Sequence, residues 1–321
     1  MGKQDLSRAE PLFRRALEIA EQSYGSSHPQ TATCVNNLGA LLLQQGRLDD
    51  AITYFQRALQ IYERLLGPSH PHVAVSLNNL CHLLKRQGRI EEAEAGLRRA
   101  IAIDEEVLGP DHAEVAAVLN NLGELYRVKE RYAEAEPLLK RSIVISEKTV
   151  GPNDPSIVLA LSNLAAVYSN QRRYDRAEPL FKRGLAVLQK AHGADDPEAT
   201  VLMNNLADTY INRRRYADAE RLLKRSMAVT EKAFGPDHPD VAHALNNLAA
   251  VYGRQGRNAD AERLYKRSVA TFEKTLGPNH PDLAGVLENL AGLYKDQSRY
   301  ADANALFKRS MAIRAKAGSP A

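Results

Sequence analysis

Residues 235–276 read GPDHPDVAHALNNLAAVYGRQGRNADAERLYKRSVATFEKTL, and a block of the same design returns every 42 residues. Its glycine recurs as Gly25, Gly67, Gly109, Gly151, Gly193, Gly235 and Gly277, with no insertion or deletion between copies. Unbroken spacing of this kind marks a stack of like units rather than separate globular domains. The text around the glycine is Gly67-Pro68-Ser69-His70-Pro71, Gly235-Pro236-Asp237-His238-Pro239 or Gly277-Pro278-Asn279-His280-Pro281. Glycine closes one helix there, and proline opens the next where no helical N–H bond is lost.

Two amphipathic patterns lie between successive turns. Helix A, Pro239 to Arg254, carries an apolar stripe of Leu245, Leu248, Ala249 and Tyr252. Helix B, Ala259 to Leu276, carries Ala261, Leu264, Tyr265, Ser268, Val269 and Phe272. Spacings of 3, 4 and 7 put each stripe on one helical face, which only a neighbouring helix can bury. Small residues hold one register in helix A (Gly39, Cys81, Gly123, Ala165, Ala207, Ala249, Ala291) and one in helix B (Ala51, Ala93, Ala135, Ala177, Ala219, Ala261, Ala303), as close helix packing requires. Pro11, Pro137 and Pro179 are expected in the first turn or so of helix B, where a missing N–H costs little. The expected fold class is all-α, a right-handed superhelical solenoid of antiparallel helix pairs. The repeats fall at 25–66, 67–108, 109–150, 151–192, 193–234, 235–276 and 277–316, after an orphan helix B at 1–24 and before a disordered tail at 317–321.

Composition agrees with an all-helical chain: no Trp, 6% aromatic residues and few β-branched runs. The net charge of +4 falls short of a nucleic-acid footprint. The Lys-Arg doublets at 140–141, 182–183, 224–225, 266–267 and 308–309 could form a basic stripe for RNA or acidic lipid. Acidic partners at i−4 (Glu136, Glu178, Glu220, Glu262) argue instead for a solvated face, each pair contributing a few tenths of a kcal/mol. No run of about 18 apolar residues suggests a membrane span, and residues 1–5 lack the apolar stretch of a signal peptide. Cytoplasmic localisation, with no nucleic-acid or membrane partner, is expected. Cys34 and Cys81 are too few for a disulfide framework and read as packing residues.

Leu122-Gly123-x-x-Tyr126 followed by Ala135 and Leu139, and Ala177-x-x-x-Phe181, resemble the tetratricopeptide consensus over nearly the whole chain. The unit is about 8 residues longer than that consensus. With Leu-Asn-Asn-Leu in helix A and Gly-Pro-x-His-Pro between repeats, it is similar to the kinesin light chain type. Departures are Ser162-Asn163 and Glu288-Asn289 in place of the Asn doublet, and Gly193-Ala194-Asp195-Asp196-Pro197 at the fifth turn. The resemblance implies a protein-binding array whose helix A lines a concave groove, with the second Asn of each doublet contacting peptide.

That Asn recurs as Asn37, Asn79, Asn121, Asn163, Asn205, Asn247 and Asn289, although Asn is a mediocre helix former. Either its amide binds the backbone of an extended peptide, or it bridges adjacent A helices and fixes their stacking. Variable positions would supply specificity: Val75, Leu159 and Val201 as apolar seats, Asn78, Asn120, Asn204 and Asn246 as polar ones. Lys85, Arg86, Arg127, Arg254 and Lys295 would add positive charge, partly cancelled by Glu124 and Asp208. The expected partner is a protein or peptide with an apolar or aromatic anchor and acidic flanks.

His28, His70, His112, His238 and His280 share the register immediately before helix A, where Asp154 and Asp196 stand in the other repeats. Asp is a good N-cap, so this register reads as helix capping rather than metal binding. No phosphate loop, nucleophile elbow, Cys-x-x-Cys pair or His-Glu-x-x-His helix occurs. Neither catalysis, metal nor cofactor is expected. Two alternatives to a peptide-binding adaptor remain: a structural scaffold that associates end to end, and the regulatory arm of a larger protein. Leu6, Ala9, Leu12, Phe13 and Ala16 of the orphan helix have no helix A of their own to cover them.

Overall fold

The computed structural model describes residues 3–317. The expected tail lies outside them except for Ala317, the last residue of a helix. Among the described residues there are fifteen α-helices and no strand. The A helices are α2 (Pro29–Gln44), α4 (Pro71–Arg86), α6 (Ala113–Val128), α8 (Val158–Asn170), α10 (Ala199–Asn212), α12 (Pro239–Arg254) and α14 (Pro281–Asp296). The B helices are α1 (Lys3–Tyr24), α3 (Leu48–Leu66), α5 (Ile90–Leu108), α7 (Tyr132–Thr149), α9 (Tyr174–His192), α11 (Tyr216–Phe234), α13 (Asn258–Leu276) and α15 (Tyr300–Ala317). A short 3-10 turn, Pro155–Ile157, precedes α8. The chain forms two compact units, residues 1–167 and 168–321, divided within α8.

In the first unit Leu38, Leu83, Leu119, Leu125, Leu139, Ile145 and Leu161 are fully buried; in the second Phe181, Met203, Leu223, Leu245 and Phe272 are. The small registers mark the closest approaches. A Cβ on Gly123 would lie 2.6 Å from Leu139 Cγ, and one on Gly39 would meet Phe55 at 3.3 Å. Cys81 fits this register because Gly96 faces it, leaving room for the thiol where other copies carry Leu or, in one copy, Tyr54. Burial pushes that thiol up to about 12, so Cys81 is an inert packing group. Pro137 and Pro179 sit in the second turn of α7 and α9, and Pro11 lies deeper still, in the third turn of α1.

The histidine register caps the A helices. Nδ1 of His28, His70, His112, His238 and His280 accepts from the backbone N–H two residues on, at 3.2–3.3 Å. Oδ1 of Asp154 and Asp196 does the same at 2.9 and 3.0 Å. At the opposite turn, between A and B, one position needs positive φ. Gly46, Gly88 and Gly256 supply it without strain, but Glu130, Arg172, Arg214 and Ser298 occupy it at φ 58–61°. A side chain there costs about 1 kcal/mol. Arg214→Gly should therefore raise stability by about 0.5–1 kcal/mol, read as an upward shift in the urea midpoint; a lower midpoint would refute the strain.

The acids at the start of the B helices do more than pair with lysine one turn on. Glu178 accepts from Tyr210 Oη at 3.3 Å, Arg213 at 2.6 Å and Arg215 at 3.0 Å, besides Lys182 at 2.7 Å. Glu220 repeats this with Tyr252, Gln255, Arg257 and Lys224, and Glu262 with Tyr294, Arg299 and Lys266. In the first unit Glu94 holds Tyr126 and Arg131. Each arginine also stacks on the tyrosine of its own pair, with the guanidinium carbon 4.3 Å from the Tyr126 ring centre, 4.2 Å from that of Tyr210 and 3.8 Å from those of Tyr252 and Tyr294. These clusters lock one helix pair to the next.

The second member of the Lys-Arg doublets is spent in the same way. Arg141 bonds Glu105 and the Pro110 carbonyl, Arg267 bonds Glu231, and Arg309 bonds Glu273 and the Pro278 carbonyl. Arg225 donates to the Ala194 carbonyl. The doublets thus join neighbouring pairs rather than form a free basic stripe.

Candidate functional site

Burying the leucine face of each A helix leaves the opposite face as an exposed row. In the first unit α4 presents Val75, Asn79, His82 and Arg86, α6 presents Ala117, Asn121, Glu124 and Val128, and α8 presents Leu159. In the second unit α10 presents Val201, Asn205, Asp208 and Asn212, and α12 presents His243, Asn247, Ala250 and Arg254. The apolar members are open to solvent: Val75 is 47% exposed, Leu159 59% and Val201 62%. Solvent-facing apolar residues at one repeated register are unusual on a helix whose other face already supplies the core.

The asparagines divide between two roles. Asn121 Nδ2 donates to Asn78 Oδ1 at 2.8 Å, Asn163 Nδ2 to Asn120 Oδ1 at 3.0 Å, and Asn289 Nδ2 to Asn246 Oδ1 at 3.0 Å. The second Asn of one A helix therefore bonds the first Asn of the preceding one, a bridge between stacked helices. Asn120 and Asn163 are buried, at 5% and 8% exposure, and belong to the stack more than to an open face. Asn37 is exposed, Asn79, Asn205 and Asn247 half-buried. Asn246 Nδ2 also approaches Asn247 Oδ1 at 3.3 Å. Asn204 Oδ1 is buried without a hydrogen-bond partner.

The charges are distributed unevenly. Lys85 Nζ donates to Glu124 Oε2 at 2.7 Å, so neither is free on the first unit's face. Among the cations of this face it is Lys85 that Glu124 offsets, while Arg127 Nε is buried without a hydrogen bond. Arg86, Arg254 and Lys295 are exposed. Asp208 is open to solvent, yet protein on most sides raises its carboxyl to about 6 by desolvation.

Open recesses adjoin these rows. One of about 300 Å³ in the first unit is lined by Ala117, Asn120, Asn121, Ser142, Ser146, Thr149 and Leu159. One of about 530 Å³ in the second is lined by Arg254, Asn258, Tyr265, Glu288, Asn289 and Asp296. Glu288, which replaces the usual first Asn, is held by Ser310 and Arg314 at 2.6 and 2.8 Å.

Sequence reasoning missed Asp104, a buried acid in a register otherwise filled by Ala20, Tyr62, Ser146, Leu188, Thr230, Phe272 and Arg314. Aligning the repeats exposes it as the one carboxylate in that set. Burial, then the nearby Glu114 charge, raises it to about 6. Its folded form binds a proton more tightly than the unfolded chain, so stability rises as pH falls from above 6 toward 4. Asp104→Asn should add about 2 kcal/mol at pH 8 and almost nothing at pH 4, read as melting curves at the two pH values; equal effects at both would refute this assignment.

Among the described residues one group of His, Asp and Glu has metal-like proximity: His192, Asp196 and Glu198. Asp196 is already committed there, Oδ1 to the Glu198 N–H and Oδ2 to His192 Nδ1 at 2.8 Å.

A tetratricopeptide repeat family model matches residues 1–64, 34–80, 72–148, 114–190, 156–211, 197–274 and 244–316. The chain belongs to the tetratricopeptide repeat family. Solved structures similar to it include kinesin light chain-like repeat proteins. Human tetratricopeptide repeat protein 19, mitochondrial, is 40% identical over 48 residues, 15% of this chain and 13% of that protein. The chain therefore spans only a small part of the curated relatives it matches. Among solved structures, Podosopora anserina kinesin light chain repeats align at 25% identity and TM-score 0.55, covering 65% of this chain and 99% of that one. BtubC (BKLC) from P. vanneervenii aligns at 22% identity and TM-score 0.62, over 72% and 92%. The apo quorum sensor NprR from B. thuringiensis aligns at 15% identity and TM-score 0.72, over 97% and 84%, a likeness of fold alone. The tetratricopeptide fold is generally a protein-interaction scaffold. Among the described residues no helix is long and apolar enough to cross a membrane.

Proposed function

We propose that the exposed rows of the A helices bind an extended segment of a partner protein, and that binding rather than catalysis is the work of this chain. The observation that carries this reading is the exposure of Val75, Leu159 and Val201 at one register, each beside asparagine amides. An extended peptide buries apolar side chains on such seats while its backbone finds donors and acceptors in Asn79 on the first unit, or in Asn205 and Asn247 on the second. The segment carries an apolar or aromatic anchor, with acidic flanks where Arg86, Arg254 and Lys295 stand exposed.

The test is selection from a random linear peptide library displayed on phage. Leu159→Asp and Val201→Asp are suitable variants because both side chains project into solvent, whereas Asn163→Ala would break a buried bridge. Each Asp variant should lose about tenfold or more in affinity for the recovered peptides, with unfolding midpoints unchanged. Undiminished binding by both variants would overturn the reading.

A further inference from the structure

The internal repeat makes a missing charge visible. In the first unit Glu124 on the exposed row of α6 is neutralised by Lys85 of α4, 39 residues earlier, at 2.7 Å. In the second unit the acid at Glu124's register is Asp208 on α10, and the residue 39 positions earlier is Ser169. Ser169 Oγ instead lies 3.4 Å from Thr209 Oγ1. Asp208 thus stands at Glu124's register with a serine, not a cation, at the register of Lys85. It shares its row with Val201, 62% exposed, and Asn205.

We propose that Asp208 recognises a basic residue: the partner segment places a lysine or arginine against it, beside an apolar side chain seated on Val201. This rests on the reading of the A-helix rows as the peptide-binding face, and adds a cation to the segment's chemistry. A partly desolvated carboxylate without a partner gains more from an arriving cation than a hydrated one, because water screens the pair less. Burial alone raises the Asp208 carboxyl to about 6, with no charge from the packed helices α9, α11 or α12 contributing. A bound cation relieves that penalty. Protonation removes the attraction, so basic ligands bind more weakly as pH falls from 7 through 6 to 5.

The experiment selects the same phage-displayed random peptide library on the wild type, Asp208→Asn, Asp208→Lys and Ser169→Lys. The last variant restores in cis the cation that Lys85 provides for Glu124. Wild-type selection should enrich Lys or Arg at one position of the recovered peptides. Asp208→Asn and Ser169→Lys should remove that preference, with about a tenfold loss in affinity for the wild-type peptides. Asp208→Lys should replace it with Glu or Asp. Circular dichroism spectra must match the wild type for a variant to count, and Asp208→Asn, which removes a carboxylate that burial disfavours, is expected to keep the fold and to melt no lower than the wild type. Persistence of the Lys or Arg preference in Asp208→Asn would overturn the proposal, as would wild-type peptides enriched without any basic position. Failure of the wild type to enrich any peptide would overturn the peptide-face reading itself and this proposal with it.

Discussion

Truncating Phe181 to alanine is expected to destabilise the array by about 3–5 kcal/mol, while Phe307→Ala, the same change at the same register, costs about 1 kcal/mol. The register is buried throughout the interior: Phe55, Leu97, Leu139, Phe181, Leu223 and Tyr265 are all at most 4% exposed. In α15 the corresponding Phe307 is 37% exposed. Removing Phe181 loses its transfer free energy and leaves a cavity that two packed helices cannot close. Removing Phe307 leaves a surface that water already reaches. In a stacked array each pair is supported only by its neighbours, so the interior loss propagates and the terminal one stays local. Urea unfolding followed by circular dichroism separates the two; equal costs would mean that Phe307 is covered in solution.

Glu178→Ala is expected to cost about 2–3 kcal/mol, far more than an ordinary i, i+4 pair. The carboxylate is 9% exposed as a residue and accepts hydrogen bonds from Tyr210, Arg213 and Arg215 as well as its ion pair with Lys182. Burial would raise its pKa, yet Lys182 and Arg215 hold it below the usual carboxylate range. A carboxyl lowered in the folded state stabilises above the unfolded pKa, and that contribution is lost as pH falls through the folded value. At the equivalent Glu220 the folded value is about 2, set first by Lys224, so the loss begins as pH falls below 4.5 and is complete only below about 2. The Ala variant should show a lower and broader urea transition at pH 7, because coupling between neighbouring pairs weakens. A transition as sharp as the wild type's, shifted by a few tenths of a kcal/mol, would reduce Glu178 to a surface ion pair.

The fold was legible because its signals repeat. The glycine at every forty-second position, the leucine stripe of helix A and the capping register before it each recur across the chain, so local ambiguity at any one copy is resolved by the others. The capping role of His28 and its counterparts follows from Asp154 and Asp196 sharing that position. Contacts between different pairs were less legible. Glu178 and Lys182 sit four apart in the text, but Tyr210 and Arg215 lie 32 and 37 residues on, and only the stacking angle brings them together. The same limit applied to the asparagines. Sequence alone left peptide binding and helix bridging open, and bridging is what Asn121, Asn163 and Asn289 do in the folded chain, each to the first Asn of the preceding pair. Lys85 looked free for the same reason, since its partner Glu124 is one pair away.

The most direct test of the peptide-binding face is an NMR titration of the methyl-labelled wild type with a peptide recovered from the library. Saturable shifts at the Leu159 and Val201 methyls, with perturbed side-chain amides at Asn79, Asn205 or Asn247, are the predicted result. Shifts confined to the B helices, with Leu159 and Val201 unmoved at saturation, would contradict it.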